Sequence, residues 1–437
     1  MRHRLTVIGS GYLGITHAAC MAELGHQVLA LDIDEDRVRR LNQGELPIHE
    51  AGLEGLLRRN LAAGRLRFGT DPEDAAHFAE LHFLCLGTPQ RKDSGAADLS
   101  QLDAAVDALA PHLDRPCVVV GKSTVPVGTA ERLAARLAAL APAGHAAELA
   151  WNPEFLREGH AVRDTLAPDR IVLGVRPGRA EGLLRALYEP LGDIPTVVTD
   201  YATAELVKVA ANAFLATKIS YINAIAEVCE AAGADVVRLA DALGYDERIG
   251  RRFLAAGLGF GGGCLPKDIR AFVARAEELG AGESLEFLRQ VDAINLRRRT
   301  RAVDHARVLA GGSFTGRNVA VLGAAFKPDS DDIRDSPALD VATAIAREGG
   351  HVSVYDPAAL DNARKACPDL GYAASTAEAV RGAQVLLLLT EWREFVELDP
   401  VALGEQVAVR AVVDGRNVLD PAAWRAAGWT YRSLGRP

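Results

Sequence analysis

Along the first two hundred residues, short apolar runs alternate with stretches whose apolar positions recur at helical spacing. Residues 5–8, 27–31, 81–86, 117–120 and 171–175 are mostly apolar runs dominated by Leu and Val. They are too short for helices and read as strands buried on both faces. Strands separated by helical segments predict a parallel sheet covered on both sides. From about residue 201 to 233 the pattern turns helical and rich in Ala, Ile and Val, and a second helical block over 285–310 stops at Gly311-Gly312. A glycine-rich loop, 257–264, lies between the two blocks. The last part then repeats the grammar of the first. Residues 318–323 read as an opening strand with its glycine, 351–356 as a second strand with an acidic end, and 384–389 and 410–414 as later strands. The expected fold is α/β: two doubly wound parallel sheets joined by a central helical domain, with boundaries at 1–198, 199–300 and 301–437.

A chain of 437 residues is too long for one hydrophobic core, in keeping with several domains. At 49% hydrophobic and 24% charged residues the composition is that of a folded protein. A net charge of -9 gives no basic footprint for nucleic acid. It leaves anionic ligands open, because local Lys, Arg and helix N-termini decide that question. No stretch approaches the roughly 20 apolar residues of a membrane span. Met1-Arg2-His3-Arg4 leads straight into an apolar strand without the apolar segment of a signal peptide, so a cytoplasmic protein with no membrane partner is expected. The six cysteines form no CxxC and no paired Cys/His spacing, so neither a metal site nor a disulfide framework is expected. Cys20, Cys85, Cys117 and Cys229 sit in apolar patterns as buried thiols, and Cys367 reads as an incidental surface thiol. Cys264 differs, because it follows Gly261-Gly262-Gly263 and precedes Pro266-Lys267-Asp268.

Gly9-x-Gly11-x-x-Gly14 falls between the first strand and its helix, where a dinucleotide fingerprint belongs. The first Gly permits the tight turn, the second a close approach of backbone to pyrophosphate, and the third the packing of helix on strand. Asp32 ends the next strand, placed to take ribose hydroxyls and to repel a 2'-phosphate, which favours NAD over NADP. Arg37 either reaches adenine or ribose or is a solvated helix charge. Thr88-Pro89 and Ser123-Thr124-Val125-Pro126 end later strands on the ligand side of such a sheet, although Thr and Pro there also serve as plain turn formers. Glu154 and Glu158 stand four apart; on a helix they would share a face and could relay a proton, and otherwise they belong to an ordinary charged turn. Lys208 and Asn212, also four apart, project from a mostly apolar helix. They pair with a neighbour or together meet an oxyanion. In Gly259-Phe260-Gly261-Gly262-Gly263-Cys264-Leu265-Pro266-Lys267-Asp268 the glycines let backbone lie against a ligand, Lys267 favours a thiolate and Asp268 is a candidate base.

Taken together these residues closely resemble the UDP-glucose/GDP-mannose dehydrogenase family. The likeness covers nearly the whole chain, in order. It takes in the Gly9 fingerprint, Gly87-Thr88-Pro89, Ser123 to Thr129, and Asn152 to Gly159. It goes on through Ala210-Ala211-Asn212-Ala213-Phe214, Gly261 to Asp268, Ala325-Phe326-Lys327-Pro328, Asp331 to Pro337 and Asp414-Gly415-Arg416. Ala213 to Ser220, Phe253-Leu254, Thr390-Glu391-Trp392 and Asp414-Gly415-Arg416-Asn417 resemble the branch acting on UDP-glucose, with the GDP-mannose branch and the same chemistry as the alternative. Gly263 stands where Ser is common and Ala51 where Pro is common, and neither change removes a reacting group.

The resemblance implies an NAD-binding Rossmann domain, a helical dimerisation domain and a C-terminal UDP-sugar-binding Rossmann-like domain, with the sugar nucleotide between the two sheets. It implies four-electron oxidation of a sugar C6 alcohol to the acid through a thiohemiacetal and thioester on Cys264. Lys208 and Asn212 would hold the oxyanions, and Asp268, Thr124, Glu154 and Glu158 would position water and protons. NAD would meet Gly9, Gly11, Tyr12, Leu13, Gly14 and Asp32. Arg37, Thr88, Pro89, Thr124, Glu158, Lys267 and Arg334 would complete its site. UDP-glucose would meet Phe155, Leu156, Arg157, Glu158, Lys208 and Asn212. Further contacts would come from Phe253, Leu254, Gly257, Gly261 and Cys264, and from Phe326, Lys327 and Arg416 in the last domain. A homodimer is implied, with Arg248 serving the partner's site.

Overall fold

The computed structural model describes residues 2–437 and divides into two compact units. The first runs to Ala211 and takes in Arg270–Gly280; the second comprises Asn212–Ile269 and Ala281–Pro437.

The first unit is built on eight strands: β1 (Arg4–Ile8), β2 (Gln27–Leu31), β3 (Leu66–Gly69), β4 (Leu81–Leu84), β5 (Cys117–Gly121), β6 (Ala147–Trp151), β7 (Ile171–Gly174) and β8 (Thr196–Thr199). Their order is β3-β2-β1-β4-β5-β6-β7-β8. The chain thus starts in the middle, builds outward to one edge and returns to build the other, the doubly wound arrangement. Every residue of β4 and β5 is buried, which is why these central strands are near-continuous apolar runs. β3, β6 and β8 were not legible in the sequence: they are short and mixed with charged or hydroxyl side chains, and β8 is a half-exposed edge.

One pairing departs from the parallel pattern. β7 meets β6 antiparallel at Trp151–Gly174 while running parallel to β8. Continued past the end of β6, that register brings residue 155 alongside residue 170, so the start of β7 lies next to the ligand edge of β1, β4, β5 and β6.

The second unit carries six parallel strands: β9 (Asn318–Leu322), β10 (His351–Tyr355), β11 (Gly371–Tyr372), β12 (Val385–Leu388), β13 (Ala411–Asp414) and β14 (Thr430–Ser433). Their order, β11-β10-β9-β12-β13-β14, reproduces that of the first six strands of the other sheet. Both sheets are therefore α/β and Rossmann-like, and in the chain a helical region separates them. Helix Tyr201–Ala232 is 32 residues long, begins in the first unit and ends in the second. Helices Leu265–Glu278 and Glu286–Leu309 follow it.

Within the second unit, Glu230 joins the end of the long helix to helix Glu286–Leu309. Its carboxylate accepts from Arg301 Nε at 2.8 Å and lies 3.5 Å from Nη2 of the fully buried Arg298 and 3.8 Å from His305 Nε2. Burial by itself would raise the Glu230 carboxyl, but His305, Arg301 and Arg298 outweigh it and hold the group at about 2. Replacing Glu230 by Ala leaves the buried Arg298 with Glu227 alone, at 3.6 Å, and removes the carboxylate that faces Arg301 and His305, so a loss of about 2 kcal/mol is expected in denaturant unfolding. Because the folded value lies below the unfolded one, this contribution is present above about pH 4.5 and disappears as pH falls toward 2. The difference between wild type and variant should shrink over that window.

Candidate active site

β1 ends at Ile8, and the chain turns through Gly9, at φ +95°, into helix Tyr12–Glu23. A Cβ on Gly14 would overlap the Gly9 carbonyl, and one on Gly9 would come within 2.8 Å of the Cys85 carbonyl, so the protein's own packing requires both glycines. Gly11 is another matter. A Cβ there meets nothing within 4 Å, and the residue is exposed at the N-terminus of the helix. Its backbone is bared toward a place the protein does not fill, where helix N–H groups favour a phosphate. Beside it, Asp32 accepts from the Ser10 N–H at 2.8 Å and pairs with Arg37 at 3.2 Å. Arg37 is thus tied to the acidic strand end and not a lone solvated charge. These residues fit a dinucleotide with ribose hydroxyls.

The matching residue of the second sheet gives a useful contrast. Asp356 ends β10 but is 1% exposed and accepts five hydrogen bonds, from the N–H groups of Ala324, Ala325, Ala358 and Ala359 and from Trp392 Nε1. No acceptor capacity is left for a ribose there. Only the first sheet keeps an open acidic strand end.

The loops after β4 and β5 are tied together: the Thr88 hydroxyl donates to the Thr124 carbonyl at 2.8 Å, and the Ser123 hydroxyl to that of Leu86 at 2.7 Å. Lys122, 7% exposed, donates to Asn152 Oδ1 at 2.9 Å, and the Tyr188 hydroxyl donates to the same oxygen at 2.6 Å. Burial pushes the Lys122 ammonium down to about 8. Sequence reasoning missed this lysine, although it directly precedes the Ser123-Thr124 text.

Residues 152–157 form neither helix nor strand and Glu158 lies in a turn, so Glu154 and Glu158 do not share a helix face. Glu154 Oε1 lies 3.3 Å from Lys208 Nζ, while Oε2 accepts from the Leu156 N–H at 2.7 Å. Lys208, 5% exposed, also stands 5.4 Å from the centre of the Phe155 ring. The Arg170 guanidinium covers the same ring at 3.9 Å, the neighbour set by the antiparallel register of β7. No sequence signal marked Arg170, because only strand pairing brings it there. Arg157 folds back onto Asp164 in a two-point ion pair of 2.7 and 2.9 Å.

In the second unit, Cys264 is exposed and immediately precedes helix Leu265–Glu278. Its carbonyl accepts the Asp268 N–H at 2.9 Å, the first helical bond. Asp268, 3% exposed, takes the Asn212 amide at 2.7 Å on one oxygen and the Lys267 ammonium at 2.6 Å on the other. Asn212 stands one turn beyond Lys208 on the long helix.

The glycines before Cys264 also serve the protein's own packing. A Cβ on Gly259 would overlap the Asn295 amide, one on Gly261 the Asp335 carbonyl, one on Gly262 the Phe326 ring and one on Gly263 the Arg334 guanidinium. Asn295 grips the loop at both polar atoms of Phe260, at 2.7 and 2.9 Å. It sits inside helix Glu286–Leu309 with no local signal of such a role. Arg416 spends its guanidinium on the carbonyls of Leu389, Gly259 and Phe326, at 2.7, 3.1 and 3.0 Å. A Cβ on Gly257 would press on the Gly415 carbonyl at 2.7 Å. Lys327 stands 5.2 Å from the Phe326 ring centre, and Arg334 pairs with Asp332 at 2.6 Å. Leu254 is buried, Phe253 is half-exposed at φ +65°, and Arg248 is 88% exposed beside Asp246.

Sequence models of the UDP-glucose/GDP-mannose dehydrogenase family match in three consecutive parts: its NAD binding domain over 3–192, its central domain over 202–297 and its UDP binding domain over 320–421. The chain belongs to this family. It is an NAD-dependent oxidoreductase. It is 41% identical to the UDP-glucose 6-dehydrogenase of Rhizobium meliloti over 99% of its own length and 100% of that protein. With a UDP-glucose 6-dehydrogenase of Bacillus subtilis the identity is 39%, over 99% and 93% of the two chains. Its fold matches the UDP-glucose dehydrogenase of Pyrobaculum islandicum with a TM-score of 0.93 at 38% identity, covering 100% and 98% of the chains.

The fingerprint glycines separate binding from folding. Gly11→Ala should keep the melting temperature within about 2 °C and weaken NADH at least tenfold, or about 1.4 kcal/mol. Gly14→Ala should lose about 2 kcal/mol or more of stability, because backbone has to move. Fluorescence titration and thermal melts distinguish the two.

Proposed function

We propose that the chain oxidises the C6 alcohol of UDP-glucose to UDP-glucuronate in two two-electron steps. The observation that carries this reading is Cys264, an exposed thiol at the start of helix Leu265–Glu278, one turn from an Asp268 carboxylate that is itself bonded to Asn212. An enzyme that stops at the aldehyde has no use for a nucleophile there, whereas one that carries the aldehyde on to the acid does. A helix N-terminus is also where negative charge on sulfur is tolerated. The substrate is supported by the relatives named above, which act on UDP-glucose and match over nearly the full chain.

Bound NAD supplies the hydride acceptor, one equivalent for each step. Water positioned by Thr124 and Glu158 takes the C6 hydroxyl proton as hydride leaves C6. Sγ of Cys264 then bonds to the aldehyde carbon as the thiol proton passes to the carbonyl oxygen, which becomes the thiohemiacetal hydroxyl. Loss of its proton and of a second hydride gives the thioester. Water, deprotonated by Asp268, adds to the thioester carbon; the C–S bond breaks, the thiolate returns and the carboxylate is released. Lys208, oriented by Glu154, and Asn212, oriented by Asp268, stabilise the oxyanions on this path. A reduced thiol nucleophile suits the cytoplasm.

Purified protein should form about two NADH per UDP-glucose consumed, since each step reduces one NAD. Cys264→Ser should lower acid formation at least about a thousandfold. One NADH per sugar, with aldehyde accumulating, would remove the role given to Cys264. Turnover confined to GDP-mannose would keep the chemistry and overturn the substrate.

We also propose a homodimer, with Arg248 reaching the partner's substrate site. Phe214, Tyr221 and Val228 recur every seven residues on the long helix and are 66%, 52% and 61% exposed, an apolar stripe that a second copy would cover. Sedimentation velocity should show a dimer, and Phe214→Glu with Tyr221→Glu should yield monomer.

A further inference from the structure

Glu50 belongs to none of the groups assigned above. It lies just ahead of helix Leu53–Ala62 and is only 5% exposed. No cation pairs with it among the described residues; its charge is met by N–H and O–H donors instead. Oε2 accepts the Gly159 N–H at 2.7 Å and the Tyr12 hydroxyl, and Oε1 accepts the Ala161 N–H at 2.8 Å. The Tyr12 oxygen also accepts the Gly159 N–H, at 3.0 Å. Burial first, and the Glu50 carboxylate second, hold the Tyr12 phenol above its ordinary range, so it remains a donor at working pH.

The three donors come from two places of consequence. Tyr12 is the first residue of the fingerprint helix, whose N-terminus is where the cofactor phosphates belong. Gly159 and Ala161 flank the start of helix Ala161–Leu166 and follow directly on Glu158. A group that must meet a ligand at fixed distance needs its loop braced against the element that holds the ligand. A carboxylate is suited to that brace because both oxygens accept; an amide offers one acceptor and turns a donor toward the remaining N–H.

We propose that Glu50 is a positioning residue for the cofactor side of the reaction, locking residues 158–161 against the first turn of the fingerprint helix and so setting where Glu158 stands relative to NAD. This rests on the cofactor site and the role of Glu158 given above. Helix capping alone would make Glu50 matter for stability and leave binding untouched.

Tyr12→Phe read together with Glu50→Gln separates the two roles: the first removes the tie to the fingerprint helix while both backbone bonds to Glu50 remain, and the second weakens the brace at a buried residue assigned to no cofactor contact. The melting temperature should stay within about 2 °C. The Kd for NADH, read by fluorescence titration without sugar, should rise at least about fivefold, as the loss of a hydrogen bond to a charged group allows. With UDP-glucose, kcat should fall by about tenfold and the sugar KM should move less than about twofold. Glu50→Gln should show the same split together with a lower melting temperature. Unchanged NADH binding in Tyr12→Phe, or a sugar KM rising as much as the NADH Kd, would overturn the proposal. Because the NADH titration needs no sugar, it decides the matter even if UDP-glucose proves not to be the substrate, an outcome that would show as no turnover in the wild type.

Discussion

Charge taken out of water has to be met inside the protein, and around the carboxyl ends of the first sheet that requirement sets the course of the loops. Glu50, Lys122, Glu205 and Lys208 are all at most 7% exposed. Each has a defined answer: Tyr12 and two N–H groups for Glu50, Asn152 for Lys122, the N–H groups of Gly128 and Ala130 for Glu205, and Glu154 for Lys208. Since the partners lie on loops after β1, β5 and β6, pairing the charges also fixes the loops. The result is a set of dipoles and charges that need not reorganise when charge develops in a reaction.

The six strands of the second sheet repeat the order of the first six of the other, and the two sheets differ at the end of the second strand. At the end of the second strand, Asp32 keeps access from outside, while Asp356 is sealed by five donors, among them Trp392. A repeated fold with one dinucleotide site thus needs no change in topology. It needs only that one carboxylate be used up by its own neighbours, which agrees with the family's separation of an NAD binding domain from a UDP binding domain.

Cys264 depends on a different kind of support. Its loop has little side chain to pack, and the position comes from outside it: Asn295 grips Phe260, Arg416 gathers three carbonyls, and Phe326 and Arg334 occupy the space that side chains on Gly262 and Gly263 would take. The absence of Cβ atoms allows these neighbours to approach. Glycine here is a packing requirement as much as an opening for ligand.

The sequence by itself determined the two α/β sheets, the helical blocks between them, the Gly9–Gly14 turn with Asp32, and the list of candidate reacting groups headed by Cys264 and Lys208. These are properties of period, spacing and residue chemistry, which local text carries. Tertiary structure decided the rest. The reversal of β7 and the stacking of Arg170 on Phe155 follow from strand register, which depends on a partner segment. The non-helical course of residues 152–157 leaves Glu154 on Lys208, without the shared helix face that a four-residue spacing would suggest. Glu50, Lys122 and Asn295 gained their roles only through neighbours distant in sequence, and whether Asp32 or Asp356 stays open depends on how many donors fold around it. A motif names the chemical group, but burial and the partners that burial demands decide what that group is able to do.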